Sequence, residues 1–216
     1  MRIPTTVALV LALGISAGAQ QSDDPDKAAA GSGALPAGWQ ARLDSSNARL
    51  ADLSFRTMGT GLHSTTGPAA ILYRTTAVGK GNFEVKAAFT QTKLSGHREA
   101  FGLFIGGQNL QAANQQYTYF EIGQTGEFIL KRRNGAQTPT VVDWTANPAV
   151  TKPDATGKYT NRLSIVAGPT TVSFRINDKE VANQPRSAVD VDGIAGLRIN
   201  HSLDLHIEGF AVTPGK

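Results

Sequence analysis

The sequence predicts an all-β protein built as a sandwich of two antiparallel β-sheets. Short runs of residues alternate apolar and polar side chains, as in Phe83, Val85, Ala87 and Phe89, and this period of two is typical of a strand with one buried face. Gly, Asn and Pro mark the breaks between the runs. No helical period longer than a turn or two occurs, so many short strands in one sandwich are favoured.

The expected strands follow one another from Trp39 to Val212 with close turn signals and no internal repeat that would indicate a propeller. A short helix or a long loop is expected only at Gln108–Gln116. In chain order the strands are Trp39–Leu43, Leu53–Met58, Gly61–Ser64, Ala70–Arg74, Asn82–Thr92, Ala100–Gly106, Gln115–Ile122, Glu127–Arg133, Thr140–Trp144, Asn161–Ala167, Thr171–Asn177, Glu180–Ala182, Gly193–Ile199 and Leu203–Val212.

The N-terminus has the three parts of a secretory signal peptide. Arg2 gives a short basic region, Val7–Ile15 an apolar stretch, and Ala17–Ala19 a small-residue cleavage site before Gln20. The apolar stretch is shorter than the ~20 residues that span a bilayer. We therefore expect residues 1–19 to be removed and the protein to be secreted, either to the periplasm or outside the cell, with no membrane span.

The residues after the signal peptide divide into a linker and one domain. Residues 20–36 are small and polar with Gly and Pro, which predicts a disordered linker, and residues 37–216 form the sandwich domain. The chain has no cysteine. Its stability therefore depends on its core, which is feasible because a domain of this size buries roughly 70% of its unfolded surface.

The distribution of charge argues against a nucleic-acid partner. The chain has 21 basic and 17 acidic residues, for a formal net charge of +4, and the basic residues are scattered. The one cluster, Lys131-Arg132-Arg133, lies on a predicted strand and alternates between its faces, so it does not form the basic stripe that phosphate binding requires.

Metal ligands are sparse in the sequence. The four histidines lack the spacing of a metal site. Asp190-Val191-Asp192-Gly193 is similar to part of a calcium loop but lacks its third oxygen donor and terminal glutamate. We expect no cofactor. Calcium is the alternative, although no clear calcium-binding motif supports it. The sequence leaves the oligomeric state open.

The most informative stretch is Gln115–Arg133, which predicts two strands joined by a turn at Gly123–Gly126. Strand alternation places its aromatic and acidic side chains on one face, opposite an apolar face. The first face carries Tyr117, Tyr119 and Glu121; the second carries Thr118, Phe120 and Ile122. Sugars pack their CH faces on aromatic rings and bond their hydroxyls to amides and charges, so exposed rings beside the amide-rich loop Gln108–Gln116 suggest a sugar site. Trp144, expected at a strand end, is a further candidate ring.

The order of these segments resembles that of a known superfamily. GNFEVKAAFT, EAFGLFIGG, QYTYFEIGQTGEFILKRRNG, NRLSIVAGPTTVSFRINDKEV and DGIAGLRIN occur in the sequence expected for bacterial members of the concanavalin A-like lectin/glucanase superfamily, including laminin-G-like and 3-keto-disaccharide-hydrolase-type domains. The resemblance covers Trp39 to Val212. It implies a two-sheet jelly roll whose concave face or edge loops hold saccharides, in a superfamily that also contains glucanases and domains without catalytic activity.

The catalytic motif of the glucanases is absent. Their E-x-D-x-x-E pattern places two carboxylates ~5–5.5 Å apart across the scissile bond. Glu121 matches the first acid, but Gly123 and Gln124 occupy the following positions, and Glu127 lies beyond the turn.

Carboxylates from different strands offer another route to a polar site. If their strands are neighbours, the glutamates share one face with several polar side chains. This set contains Glu84, Glu121 and Glu208 together with Lys86, Tyr119, Lys131, Arg198 and His206. The alternative is a set of ordinary solvated strand faces, with cross-strand ion pairs of roughly 0.2–1 kcal/mol each.

These observations predict a secreted, non-catalytic carbohydrate-binding protein. The predicted binding residues are Tyr117, Tyr119, Glu121, Lys131, Trp144, Arg198 and His206. One alternative is a glycoside or 3-keto-glycoside hydrolase in which Glu121 is the carboxylate, assisted by His206 or Glu208. Another is an envelope scaffold domain that binds other proteins.

Overall fold

The computed structural model describes residues 31–215, which form fourteen β-strands and two short 3-10 turns at Leu50–Asp52 and Arg186–Ala188. The predicted signal peptide and residues 20–30 of the predicted linker lie outside the described residues. The strands are β1 Trp39–Leu43, β2 Leu53–Met58, β3 Gly61–Thr66, β4 Ala70–Gly79, β5 Phe83–Lys93, β6 Ala100–Gln108, β7 Gln116–Gly123, β8 Glu127–Asn134, β9 Thr140–Ala146, β10 Tyr159–Ala167, β11 Thr171–Ile176, β12 Lys179–Pro185, β13 Gly193–Ile199 and β14 Asp204–Pro214.

The strands form two antiparallel sheets of seven strands each. The first sheet has the order β1-β4-β13-β6-β7-β8-β9, and the second has the order β12-β11-β10-β5-β14-β3-β2. The predicted all-β sandwich is therefore confirmed. Residues 109–115, for which a helix or a loop was expected, form a loop between β6 and β7.

The main core lies between the two sheets and is built from the apolar phase of each strand. Phe101 and Phe120 of the first sheet contact Phe89 and Phe174 of the second, with ring centroids 5.5 and 5.4 Å apart. All four rings are fully buried, and burial of such side chains contributes roughly 1.5–3 kcal/mol each. This inter-sheet contact stabilises a cysteine-free chain.

The first sheet also buries side chains on its outer face. Its second apolar cluster comprises Ile71, Tyr73, Phe104, Leu110, Tyr117 and Tyr119. Leu110, from the loop between β6 and β7, contributes to this cluster. Tyr117 and Tyr119 are only 1% and 5% exposed, so the prediction of two surface rings was wrong. The part of the outer face that this cluster occupies is packed rather than solvated.

The described N-terminal segment lies against the sandwich. Leu35 packs against the main core, and the backbone N–H of Gly31 donates a hydrogen bond to the carbonyl of Ala51. Across residues 31–215, no helix has the length and apolar character needed to cross a membrane.

Candidate functional site

The outer face of the first sheet contains a cavity of about 280 Å³ beside the aromatic cluster. Five predicted site residues meet there: Tyr119, Glu121, Lys131, Trp144 and Arg198. Five further residues complete its lining, namely Asp44, Ile129, Arg133, Thr138 and Asn200. We call this space the outer-face cavity.

Strand register brings the two central charged side chains of the cavity together. Arg198 of β13 pairs in register with Gly102 of β6, and Gly102 pairs with Glu121 of β7. The residue between Arg198 and Glu121 on the sheet is therefore a glycine, which has no side chain. A Cβ atom on Gly102 would lie 2.0 Å from the carbonyl oxygen of Phe120, so this close approach of β6 and β7 requires glycine. Arg198 and Glu121 face each other across it.

Asp44 neutralises Arg198. Arg198 donates two hydrogen bonds to it, from Nη1 to Oδ1 at 2.8 Å and from Nη2 to Oδ2 at 2.7 Å. Burial alone would raise the pKa of Asp44, but Arg198, with help from Arg133, holds that pKa below its usual value. Arg198 is fully cationic: although burial opposes its charge, Asp44, Tyr117 and Glu121 raise its pKa. This bidentate geometry is the strong form of an ion pair.

Glu121 is the second carboxyl group of the cavity and is only 2% exposed. Burial raises its pKa to about 7, an effect that Arg198 opposes and Asp44 reinforces. Its Oε1 lies 3.7 Å from Nε of Arg198, too far for a hydrogen bond. Glu121 therefore divides between its protonated and ionised forms at neutral pH.

Four buried polar atoms around the cavity have no hydrogen-bond partner within the described chain. They are Oε1 of Glu121, Nε of Arg198, Nε of Arg133 and Oδ1 of Asn200. An unpaired buried donor or acceptor costs about 1–3 kcal/mol, and native proteins contain few of them. These four atoms surround one space, where a polar ligand would be able to bond all of them.

Trp144 of β9 lines the same cavity and is partly exposed. The guanidinium of Arg98 lies 4.4 Å from the centroid of its ring, and Nε of Arg98 is 2.6 Å from Oε1 of Glu127. This stack is a cation–π contact, and the ion pair holds the arginine in place. The indole is thus positioned as an apolar part of the cavity lining.

The sequence matches no protein-family model and no curated protein. Solved structures are similar in fold. The carbohydrate-binding module CBM66 from Bacillus subtilis has a TM-score of 0.60 at 12% identity, with 82% of this chain and 95% of that chain covered. This chain has a concanavalin A-like jelly-roll fold.

Two further structures share this jelly roll. A protein of unknown function with a galectin-like fold, also from Bacillus subtilis, has a TM-score of 0.58 at 12% identity, covering 82% of this chain and 89% of that one. The carbohydrate recognition domain of Emp46p, in its metal-free form, has a TM-score of 0.54 at 8% identity, covering 83% and 89%. Identities this low establish the fold alone.

Two predicted residues lie in the other sheet of the jelly roll. His206 and Glu208 are on β14, where Nε2 of His206 lies 3.6 Å from Oε1 of Glu208. Glu208 lines a separate groove of about 470 Å³ with Glu84 and Lys86. The predicted common face for Glu84, Glu121 and Glu208 was therefore wrong, because β5 and β14 do not belong to the sheet that contains β7.

Tyr117 lies beside the outer-face cavity without lining it. Its ring packs between Phe104 and Tyr119, with centroids 5.2 and 5.6 Å away. Its role is to support Tyr119, which does line the cavity. The predicted direct contact of Tyr117 with a ligand does not agree with this burial.

Several cavity residues were not predicted. Arg133 shares the phase of Lys131 on β8, so alternation alone identifies it. Asp44 and Asn200 directly follow β1 and β13, and polar residues at strand ends are too common to stand out. Gly102 is visible in the sequence only as one of several glycines.

No group of three or more His, Cys, Asp or Glu side chains within residues 31–215 is arranged to hold a metal ion. In the fragment similar to a calcium loop, the carboxylates already have partners. Asp190 accepts two hydrogen bonds from Arg132, both at 2.9 Å. Asp192 accepts bonds from Arg186 and from the backbone of Gly81.

Proposed function

We propose that the protein binds carbohydrate in the outer-face cavity. The observation that carries this proposal is the set of buried, unpartnered polar atoms beside an indole. Glu121 and Asn200 offer acceptors, and Arg133 and Arg198 offer donors, which together match the mixed donor and acceptor character of sugar hydroxyls. Trp144 supplies an apolar surface for the CH groups of a sugar ring.

The size of the cavity sets the scale of the ligand. At about 280 Å³, it lies near the lower limit of the roughly 300–1,000 Å³ that is usual for small-molecule sites. A site of this size accommodates only a small part of an oligosaccharide, with the remainder extending into solvent.

Similarity of fold supports the same function. Two structural neighbours are described as a carbohydrate-binding module and a carbohydrate recognition domain. A shared fold is not sufficient evidence for a shared ligand, so the proposal depends on the residues of the cavity.

The direct test is a thermal-shift and calorimetric screen of the protein against soluble oligosaccharides. A ligand at 100 times its dissociation constant stabilises the fold by about 2.7 kcal/mol, which raises Tm by several degrees. Trp144→Ala should weaken binding about tenfold or more. His206→Ala, on the other sheet, is the matched control and should bind normally. The absence of binding across the panel would refute the proposal.

A hydrolase is the second candidate, and one observation favours it. A buried carboxyl group with a pKa of about 7 suits a general acid at neutral pH. The second carboxylate that glycoside hydrolysis needs is less available, because both oxygens of Asp44 are bonded to Arg198. If the bound sugar is cleaved, Glu121→Gln should abolish turnover and retain binding; an unchanged rate would exclude this function.

We also propose that the protein is exported, on the basis of the signal-peptide pattern of residues 1–19. N-terminal sequencing of the protein from its natural source should begin at Gln20. A chain that retains its first residues would argue against export by this route.

A further inference from the structure

Positive charge exceeds negative charge around the outer-face cavity. Three cationic side chains line it, Lys131, Arg133 and Arg198, against two carboxyl groups, Asp44 and Glu121. The bidentate pair of Arg198 and Asp44 is internally neutral. Glu121 is buried and carries at most one negative charge. Lys131 and Arg133 therefore leave the cavity with a net charge of +1 when Glu121 is ionised and +2 when it is protonated.

Neither of these two side chains has a carboxylate of its own within the described part of the chain. The nearest carboxylate oxygen to Arg133 is Oδ2 of Asp44, 4.0 Å from its Nη1, and that carboxylate already accepts two hydrogen bonds from Arg198. The Nε atom of Arg133 is buried without a partner. Lys131 has no carboxylate within ion-pair distance in residues 31–215, and its charge acts on Glu121, whose pKa it lowers against the effect of burial.

The intervening residue on β8 behaves differently. Arg132, in the opposite phase of the strand, donates two hydrogen bonds to Asp190, each 2.9 Å long. On one face of β8, Arg132 therefore has a carboxylate of its own. On the face of the cavity, Lys131 and Arg133 do not. Scattered surface charge does not explain this difference, because the Arg133 side chain is only 14% exposed.

We propose that the saccharide bound in this cavity carries an anionic group, a uronate carboxylate or a sulfate ester, held between Lys131 and Arg133. This inference rests on the proposed sugar-binding function and names the class of sugar. The planar guanidinium of Arg133 presents paired donors that match a carboxylate or sulfate, and Lys131, two residues away on the same face, adds a second positive charge.

The anion also accounts for the burial of these cations. A partly buried charge without a partner is unfavourable, and a bound anion supplies the missing partner. The sugar ring then lies against Trp144, and its hydroxyl groups reach Asn200 and Glu121. Lys131, Arg133, Trp144, Asn200 and Glu121 thereby each contact a specific part of the ligand.

The test uses oligosaccharide pairs that share a backbone and differ in whether a substituent carries a negative charge. Cello-oligosaccharides are compared with the oligoglucuronates obtained by oxidising their C6 positions, oligogalacturonates with their methyl esters, and laminari-oligosaccharides with their sulfated forms. Calorimetric titration should show that the charged member of at least one pair binds about tenfold or more tightly than its neutral counterpart. The preference should decrease as salt is added. A preference for the charged member of the uronate pairs indicates a carboxylate, and a preference for the sulfated member indicates a sulfate.

Variants locate the effect. Lys131→Gln and Arg133→Gln should each reduce the ratio between charged and neutral affinities about fivefold or more. Lys86→Gln removes the same charge from the exposed face of the second sheet and should leave the ratio unchanged. If Arg133→Gln does not fold, Lys131→Gln still tests the site.

The outcomes separate this inference from the proposed function. Equal affinity for the two members of every pair overturns the anionic ligand and leaves sugar binding intact. An equal effect of Lys86→Gln means that overall charge, not this site, attracts the ligand, and also overturns the inference. Failure of every member to bind overturns both proposals.

Discussion

Glu121→Gln should raise the free energy of unfolding relative to the wild type, by an amount that increases as the pH rises. The pKa of Glu121 lies at about 7, against an ordinary value of 4.5, because burial disfavours its charge; Arg198 and Lys131 oppose this effect, and Asp44 and Glu99 reinforce it. The folded protein therefore keeps a proton that the unfolded chain loses between pH 4.5 and 7. Stability due to this group is present at low pH and is lost as pH rises through this window.

The size of the effect follows from the two pKa values. At about 1.4 kcal/mol per pH unit, ionisation of Glu121 costs the native state about 3 kcal/mol above pH 7. Glutamine has nearly the same shape and cannot ionise. The free energy of unfolding of the variant minus that of the wild type should thus increase by about 3 kcal/mol between pH 4.5 and pH 8. Other titrating groups largely cancel in this difference.

Urea unfolding at a series of pH values measures this difference. In thermal unfolding, 3 kcal/mol corresponds to roughly 6–12 °C for a domain of this size. Glu208→Gln, at an exposed carboxyl group on the second sheet, is the matched control and should show no comparable change with pH. A difference that is flat or declines with pH for Glu121→Gln would mean that attraction to Arg198 outweighs the cost of burial, and our account of the site would be wrong.

Three further predictions concern the same cavity. Asp44→Asn leaves Arg198 without its bidentate partner and should lower the free energy of unfolding by about 3 kcal/mol, measured by urea unfolding. A second substitution, Arg198→Met, should restore part of this loss. If the losses of the two substitutions add instead, the pairing is contradicted. Gly102→Ala places a Cβ atom 2.0 Å from a backbone oxygen and should cost about 3 kcal/mol by the same measurement. Gly96→Ala, whose Cβ atom meets nothing within 4 Å, should change stability by less than about 0.5 kcal/mol, and equal effects at the two glycines would contradict the close approach. Affinity for an anionic oligosaccharide should increase about threefold or more from pH 8 to pH 6, because protonation of Glu121 removes a repulsive charge; calorimetry that shows the opposite trend would refute this coupling.

The strands were predictable because a buried strand face leaves a direct trace in the sequence. The alternation in Phe83–Phe89 is one example, and β1, β2 and β13 have the predicted bounds. The strand predicted at Ala70–Arg74 continues to Gly79, because Val78 and Gly79 pair with β13 through their backbones. The added residues Thr75–Gly79 do not alternate apolar with polar side chains, so the sequence pattern does not reveal this part of the strand.

The site was only partly predictable, because alternation shows which residues share a strand face and not which strands share a sheet. Glu121 and Lys131 were placed together correctly, since β7 and β8 form a hairpin. His206 was grouped with them wrongly, because β14 belongs to the second sheet. Nor does alternation show what packs on a strand face. Tyr117 was assigned to the correct face of its strand, but Leu110 of the loop between β6 and β7 packs in the same apolar cluster as Tyr117, whose ring is buried.

The packing of the first sheet on both faces also bears on how such a site diverges among related proteins. Glu121, Arg198 and Gly102 are held in mid-strand by neighbours on every side, so a change at any of them disturbs the sheet itself. Thr138 and Asn200 lie just beyond strands or between them, where substitution perturbs less of the sandwich. New ligand preferences should therefore arise first at these peripheral positions, while the buried pair Glu121 and Arg198 tolerates less change.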